Sequence, residues 1–123
     1  MNNERNFFLN RINSVKYAAK GFWILITSEL SIIAQVGIGF IMTIIGFLMD
    51  LSATEWLFQI MAIGLILVAE SLNTAIEKLA DFIHPDYHKQ IGHIKDVSAG
   101  ASFFAAIIAV IIGLIIYVPK FLT

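Results

Sequence analysis

Cysteine is absent from this sequence, which excludes disulfide bonds and thiolate metal sites. Charge is scarce as well: Asp, Glu, Lys and Arg make up 14% of the 123 residues, against about 25% in a typical soluble domain. The basic residues form no dense patch, so we expect no binding to nucleic acid. There is no GxxxxGK[ST] loop and no HRD or DFG motif, which excludes the nucleotide sites of P-loop enzymes and soluble protein kinases.

Apolar residues are what the sequence has in abundance. They make up 59% of the chain, and the mean hydropathy is +0.83. A chain of this length forms one domain, and a single soluble domain could not bury so much apolar surface. The composition therefore predicts an integral membrane protein in which residues 1–123 form one domain.

Three apolar runs predict membrane-spanning helices, since a helix needs about 20 apolar residues to cross a bilayer. Leu30–Met49 and Val97–Val118 reach that length without a charge. Trp56–Ala69 is too short and must continue through Glu70 and Asn73, which places both at the membrane edge. Only a helix satisfies the backbone hydrogen bonds of such a segment in lipid. We predict an all-α membrane protein with spans at about 30–49, 56–83 and 94–118.

The segment before the first span predicts a different kind of helix. Apolar residues lie on one face of it at helical spacing, namely Phe8, Ile12, Val15, Ala19, Phe22 and Ile26. We interpret residues 4–28 as an amphipathic helix that lies on the membrane surface. The alternative is an ordinary solvated helix.

The eight basic residues are distributed unevenly. Four precede the first span, three lie between the second and third spans, and only Lys120 follows the third. The loop after the first span, Asp50–Glu55, contains none. Because basic residues accumulate on the cytoplasmic side of membrane proteins, this asymmetry predicts a cytoplasmic N-terminus and an external C-terminus.

The middle span ends in a stripe of acidic and amide side chains within "AESLNTAIEKLAD". At about 100° per residue, Asn73, Glu77 and Asp81 all lie within about 60° of Glu70 on the helix. A carboxylate at the membrane edge is costly unless protonation, a basic partner, a metal ion or water compensates it. A solvated helix end explains Asp81, but Glu70 is needed to complete the span. We therefore expect Glu70 to be functional.

Two further charged positions are candidates for a nucleotide site. Glu29 precedes the first span and should lie at the depth of Glu77, so the pair could hold Mg²⁺, which binds one or two carboxylates together with phosphate oxygens. An interfacial anchor is the alternative for Glu29. Lys95 could meet a phosphate as a point charge, or it could begin a solvated helix together with Asp96.

These motifs together closely resemble the prokaryotic diacylglycerol kinase family, which includes the undecaprenol kinases. The likeness rests on "AESLNTAIEKLAD", the loop "PDYH" and "IKDVSAGA", with Lys–Asp beginning eighteen residues after the second Glu of Glu–x2–Asn–x3–Glu. It implies a homotrimer in the bacterial cytoplasmic membrane, with three transmembrane helices and a surface helix in each subunit. It further implies that the protein phosphorylates a lipid hydroxyl with MgATP.

The resemblance also implies roles for individual residues. Glu70 corresponds to the catalytic residue, which is thought to act as general base and to touch the lipid, and Asn73 accompanies it. Glu29 and Glu77 correspond to the pair that binds Mg²⁺ and ATP. The other implied ATP contacts are Tyr17, Asp86, Tyr87, His88, Lys95 and Asp96.

Two departures from the family pattern concern the substrates. Ala99 stands where some members have a serine associated with the lipid, so it can offer only packing or backbone contact. The segment "SELSIIAQ" lacks an arginine that many members carry. The lipid therefore stays open between diacylglycerol and undecaprenol, with undecaprenol slightly favoured.

A second class of function is a small oligomeric channel or proton-linked carrier with the acidic stripe as its ion path. Against it, the stripe lies at one end of one span, and no comparable polar row crosses the other spans. A membrane scaffold without chemistry would leave the spacing of Glu70, Asn73 and Glu77 unexplained.

Overall fold

The computed structural model describes residues 2–123, and this part of the chain contains helices and no strand. The helices are α1 (Asn2–Ser28), α2 (Leu30–Leu48), α3 (Ala53–Ile83) and α4 (Lys89–Leu122). The last three are each long and apolar enough to cross a membrane. The prediction of an all-α membrane protein with three spans is confirmed.

Helices α3 and α4 begin before the predicted spans because caps, not hydropathy, fix their first residues. Ser52 and Glu55 form a capping box: the Ser52 hydroxyl accepts from the Glu55 N–H at 3.2 Å, and Glu55 Oε1 accepts from the Ser52 N–H at 2.9 Å. At the start of α4, His88 Nδ1 accepts from the Gln90 N–H at 3.1 Å. Hydropathy identifies the residues that suit lipid, so it says nothing of these polar first turns.

A single residue separates α1 from α2. Glu29 has an extended backbone, with φ −99° and ψ 110°, and its carbonyl accepts the first hydrogen bond of α2 from the Ile33 N–H at 2.9 Å. The break between the two helices therefore places the Glu29 carboxylate at the start of the first span.

Helices α3 and α4 make the most extensive contact in the molecule and run antiparallel, since residues from the end of one meet residues from the start of the other. Small residues lie in their contact: Ala80 is 4% exposed and Ala105 is 3% exposed. Small side chains let helix backbones approach closely in a membrane. The packing of α3 against α4 therefore positions the polar residues at both ends of this pair.

A polar network joins α2, α3 and α4 at what we call the distal end, around Gln59 and Tyr117. The Tyr117 hydroxyl donates to Gln59 Oε1 at 2.5 Å, and Gln59 Nε2 donates to the Met42 carbonyl at 2.9 Å. Both side chains are buried, and Tyr117 packs with Leu51 and Ile116 in an apolar cluster. Because each polar group finds a partner, the network stabilises the three spans against one another.

Helices α2 and α3 also approach each other closely at the distal end. Gly46 lies against the Trp56 ring, and a Cβ atom built on Gly46 would be 2.6 Å from the ring. No side chain fits there, so glycine at this position permits the contact.

Candidate functional site

The acidic stripe predicted on α3 lies on one face of an unbroken helix. Glu70 is half-buried, Asn73 is buried, and Glu77 and Asp81 are exposed. The side chain of Asn73 is hydrogen-bonded to the next residue of the stripe, since its Nδ2 donates to Glu77 Oε1 at 3.3 Å. Its Oδ1 is buried and has no partner among the described residues. The stripe therefore runs from the apolar part of the span to its polar end.

A matching row on α4 faces the stripe. Lys95, Ser98 and Ser102 follow one another at three and four residues, which places them within about 60° on the helix. Lys95 Nζ contacts Asp81 Oδ1 at 2.5 Å, and the Ser102 hydroxyl donates to Glu70 Oε2 at 2.5 Å. Ser98 is buried, and its hydroxyl has no partner within residues 2–123.

We call this arrangement the polar seam. It comprises Glu70, Asn73, Glu77 and Asp81 of α3 and Lys95, Ser98 and Ser102 of α4. Glu77, Asp81 and Lys95 lie at the exposed end of the seam. Glu70 lies at its inner end, beside the apolar part of the span. The seam therefore joins a place suited to a charged ligand with a place suited to a lipid.

The structure brings Glu29 to the same end of α3 but gives it a different partner from the predicted one. Its Oε1 accepts from Lys78 Nζ at 2.8 Å. Lys78 follows Glu77 in the chain, and one residue turns the helix by about 100°. The Glu29–Lys78 ion pair thus fixes the junction of α1 and α2 next to the seam, and the Glu29–Glu77 metal pair stays a prediction.

The loop between α3 and α4 lies next to the exposed end of the seam. A hollow of about 90 Å³ is lined by loop residues and by Lys95, the lining being His84–His88, Ile91, Gly92 and Lys95. The loop is shaped by His84, whose Nδ1 lies 2.7 Å from the Asp86 carbonyl. The predicted ATP contacts Asp86, Tyr87 and His88 therefore line the same hollow as Lys95, and their contact with ATP stays a prediction.

Besides Glu29 and the three loop residues, three more predicted residues lie outside the seam. Tyr17 is 74% exposed and belongs to α1. Asp96 and Ala99 are exposed on α4, and each is one residue away from a member of the seam. All three are exposed, and their predicted contacts with ATP or lipid stay predictions.

The oxygen atoms of the seam suit a hard divalent cation. No cluster of three or more His, Asp or Glu residues that could hold a metal ion occurs within residues 2–123. Mg²⁺ needs fewer protein ligands, because it completes its shell with water and phosphate oxygens. The exposed Glu77 carboxylate offers acceptor oxygens, one of which already accepts from Asn73 Nδ2 at 3.3 Å. The donor set therefore fits Mg²⁺ bound together with phosphate.

The serines of the seam and the partner of Glu29 were not among the predicted site residues. Ser98 and Ser102 repeat after Lys95 the same three-and-four spacing that marks the acidic stripe, so the signal was present. The pairing of Lys78 with Glu29 has no such signal, because it depends on how α3 sits against the junction of α1 and α2.

Comparison with known proteins agrees with the motifs. The family model of prokaryotic diacylglycerol kinase matches residues 16–117. The undecaprenol kinase of Bacillus subtilis is 36% identical over 118 residues, which are 96% of this chain and 94% of that protein. The diacylglycerol kinase of Escherichia coli K12 is 30% identical over 112 residues, which are 90% of this chain and 91% of that protein.

The polar seam at the end of an apolar span, taken with these likenesses, defines the class of protein. The chain belongs to the prokaryotic diacylglycerol kinase family. The family predicted from the motifs is confirmed, and with it the enzyme class, a membrane lipid kinase. The alternative of a channel or carrier gains no support from the comparisons.

Proposed function

We propose that the protein transfers the γ-phosphoryl group of ATP to the hydroxyl of a membrane lipid. The observation that supports this most is the position of Glu70, a half-buried carboxylate where an apolar span meets the charged part of the polar seam. A lipid hydroxyl arriving from the bilayer would reach Glu70, and a phosphate arriving from water would reach Lys95. The two reactants would thus meet along the α3–α4 contact.

The seam residues take separate roles in this proposal. Glu70 accepts the proton of the lipid hydroxyl as that oxygen attacks the γ-phosphorus, and ADP leaves. Lys95 offsets negative charge on the phosphate oxygens. Asn73 orients the Glu77 carboxylate, to which its Nδ2 donates at 3.3 Å. Phosphoryl transfer depends mostly on positioning and charge stabilisation, which is what such a row of fixed side chains provides.

The nucleotide would occupy the exposed end of the seam. Asp86, Tyr87 and His88 of the loop, with Tyr17 and Asp96, are the proposed contacts beyond the phosphates. Glu77 and Glu29 are the proposed ligands of Mg²⁺, which when bound would neutralise charge on the phosphates. Binding the ion at Glu29 requires the Glu29–Lys78 ion pair to open or to be shared, since Lys78 holds that carboxylate at 2.8 Å.

The lipid is proposed to be one with a free hydroxyl group, either undecaprenol or diacylglycerol. Both classes of substrate occur in the names of the relatives, and the undecaprenol kinase of Bacillus subtilis is 36% identical against 30% for the diacylglycerol kinase of Escherichia coli. Ala99 is compatible with a headgroup that needs no side-chain hydroxyl at that position. We therefore favour undecaprenol.

The setting we propose is the bacterial cytoplasmic membrane, with the N-terminus and the polar seam on the cytoplasmic side. The distribution of basic residues supports this orientation, since seven of eight lie before the first span, near the end of α3 or in the first turns of α4. A homotrimer is the proposed assembly. Large apolar side chains exposed on the single chain, such as Phe40 at 69% and Phe104 at 71%, would then face lipid or another subunit.

The experiment that tests the proposal uses purified protein, labelled ATP, Mg²⁺ and a panel of lipid alcohols. We expect the native protein to label at least one lipid and Glu70→Gln to abolish labelling, because the amide cannot accept the proton. Glu55→Gln is the matched control at the distal end, since glutamine also completes a capping box. Normal turnover by folded Glu70→Gln would refute the general-base role, and no labelled lipid at all would refute the kinase proposal.

A further inference from the structure

The Glu70 carboxylate has one hydrogen-bond donor that no motif indicated. The Ser102 hydroxyl reaches it from the facing helix and donates to Oε2 at 2.5 Å, in a partly buried setting. At this distance the hydroxyl makes a short hydrogen bond with the carboxylate. Within residues 2–123, Oε1 of Glu70 accepts no hydrogen bond from the protein. Ser102 thus fixes one oxygen and leaves the other available.

Ser102 is itself held firmly. It lies between Ser98 and Ala105 on α4, both of which are buried in the contact with α3. Its backbone therefore moves only if the helix pair moves, whereas the glutamate side chain rotates about three bonds. A donor on a fixed backbone selects one orientation of a flexible acceptor, which is the way supporting residues preorganise a reacting group.

We propose that Ser102 is a positioning residue that aims the Glu70 carboxylate, with Oε1 directed to the lipid hydroxyl. This inference rests on the proposed role of Glu70 as general base. The proton moves from the lipid oxygen to Oε1, the lipid oxygen bonds to the γ-phosphorus, and the bond to ADP breaks. The serine hydroxyl keeps its own proton throughout and touches no reacting atom.

The test compares Ser102→Ala with Ser102→Thr in the lipid-labelling assay. Without the hydroxyl the carboxylate samples other rotamers, so we expect kcat to fall about ten- to a hundredfold. The KM values for ATP and for lipid should stay unchanged, because Ser102 contacts neither. Threonine restores a hydroxyl at the same position and should recover most of kcat.

Ser71→Ala is the matched control, since Ser71 follows Glu70 in the chain but donates to the Leu67 carbonyl at 2.6 Å. It should keep the native kcat. Ser102→Cys is a second probe of nearly the same size with a weak donor, and it should resemble alanine even if alanine impairs folding.

Three results would overturn the inference: native kcat in a folded alanine or cysteine variant, no recovery with threonine, or a loss confined to KM. Failure of the inference is distinguishable from failure of the proposed function. If Glu70→Gln is inactive while Ser102→Ala is fully active, only the positioning role is wrong. If Glu70→Gln is active, the general base itself is wrong.

Discussion

The two ends of the α3–α4 pair are built differently, although both place polar side chains between the helices. At the distal end the buried Gln59 and Tyr117 are hydrogen-bonded to each other. In the polar seam Asn73 Oδ1 and Ser98 Oγ are buried without a partner among the described residues. Native proteins pair nearly all their buried polar groups. The distal end therefore stabilises the fold, and the seam has acceptors left over for ligands.

Each end also holds one ion pair between α3 and α4, which makes the comparison testable. Lys95 contacts Asp81 in the seam, and Lys120 contacts Glu55 at 3.1 Å at the distal end. If the ends differ in purpose, the same substitution should give different results at each. Lysine to methionine is suitable, since it keeps most of the unbranched apolar side chain and removes the charge.

The largest effect is expected from Lys95→Met. Without the ammonium group the charge on the phosphate oxygens is less well compensated in the transition state, so we expect kcat/KM for ATP to fall about a hundredfold. Folding should be little affected, because the Lys95 and Asp81 side chains are 37% and 59% exposed and exposed ion pairs contribute little to stability. Steady-state kinetics at saturating lipid would measure the change.

Lys120→Met is the matched control on the same helix. It removes the distal ion pair, and we expect native kcat/KM because Lys120 lies at the opposite end of α4 from the seam. Equal losses of activity in the two variants would mean that the two ends of the α3–α4 pair do not differ in function.

The next effect concerns stability. Tyr117→Phe removes the hydroxyl that donates to Gln59 and leaves the Gln59 Oε1 atom buried without that partner. An unsatisfied buried acceptor costs about 1–3 kcal/mol, so the free energy of unfolding should fall by that amount. Activity at low temperature should be native. Reversible unfolding in mixed detergent micelles, with the same detergent ratio for each variant, would measure the difference.

Ser98→Ala provides the counterpart in the seam. Its hydroxyl is buried but has no partner within residues 2–123, so its removal breaks no protein hydrogen bond. We expect the free energy of unfolding to stay unchanged or to rise slightly. A loss as large as that of Tyr117→Phe would show that Ser98 is already hydrogen-bonded in the folded protein, and the contrast between the ends would be weaker.

The acidic stripe could be predicted from the sequence because its geometry is internal to one helix. Once Glu70, Asn73 and Glu77 belong to a continuous helix, a fixed turn of about 100° per residue places them together. The span count followed in the same way from length and hydropathy. Both predictions use only local geometry and composition, and neither requires knowledge of how the helices pack.

The contacts that cross between helices could not be predicted in this way. The pairing of Glu70 with Ser102 depends on the vertical register of α3 against α4, and a shift by one turn would move it by about 5.4 Å. Small buried residues such as Ala105 and the Gln59–Tyr117 hydrogen bond help to fix that register. These are tertiary features, which the pattern of a single helix does not contain.

The smallest effect is expected at the edge of the seam, from Lys78→Met. Lys78 holds Glu29 at 2.8 Å and so competes with any cation for that carboxylate. Removing it should lower the Mg²⁺ concentration that gives half-maximal activity by about threefold, in keeping with the modest strength of exposed ion pairs. The kcat at saturating Mg²⁺ should change little, since Lys78 lies on another face of α3 from the seam.

The direction of the shift decides how Glu29 is used. If the Mg²⁺ requirement rises instead, Lys78 holds Glu29 in place for the metal and does not compete with it. If the requirement is unchanged, Glu29 contributes no metal ligand, and its contact with Lys78 serves only to fix the junction of α1 and α2. Glu29→Gln, measured in the same titration, separates the first case from the second, because a metal ligand lost there must raise the requirement whatever Lys78 does.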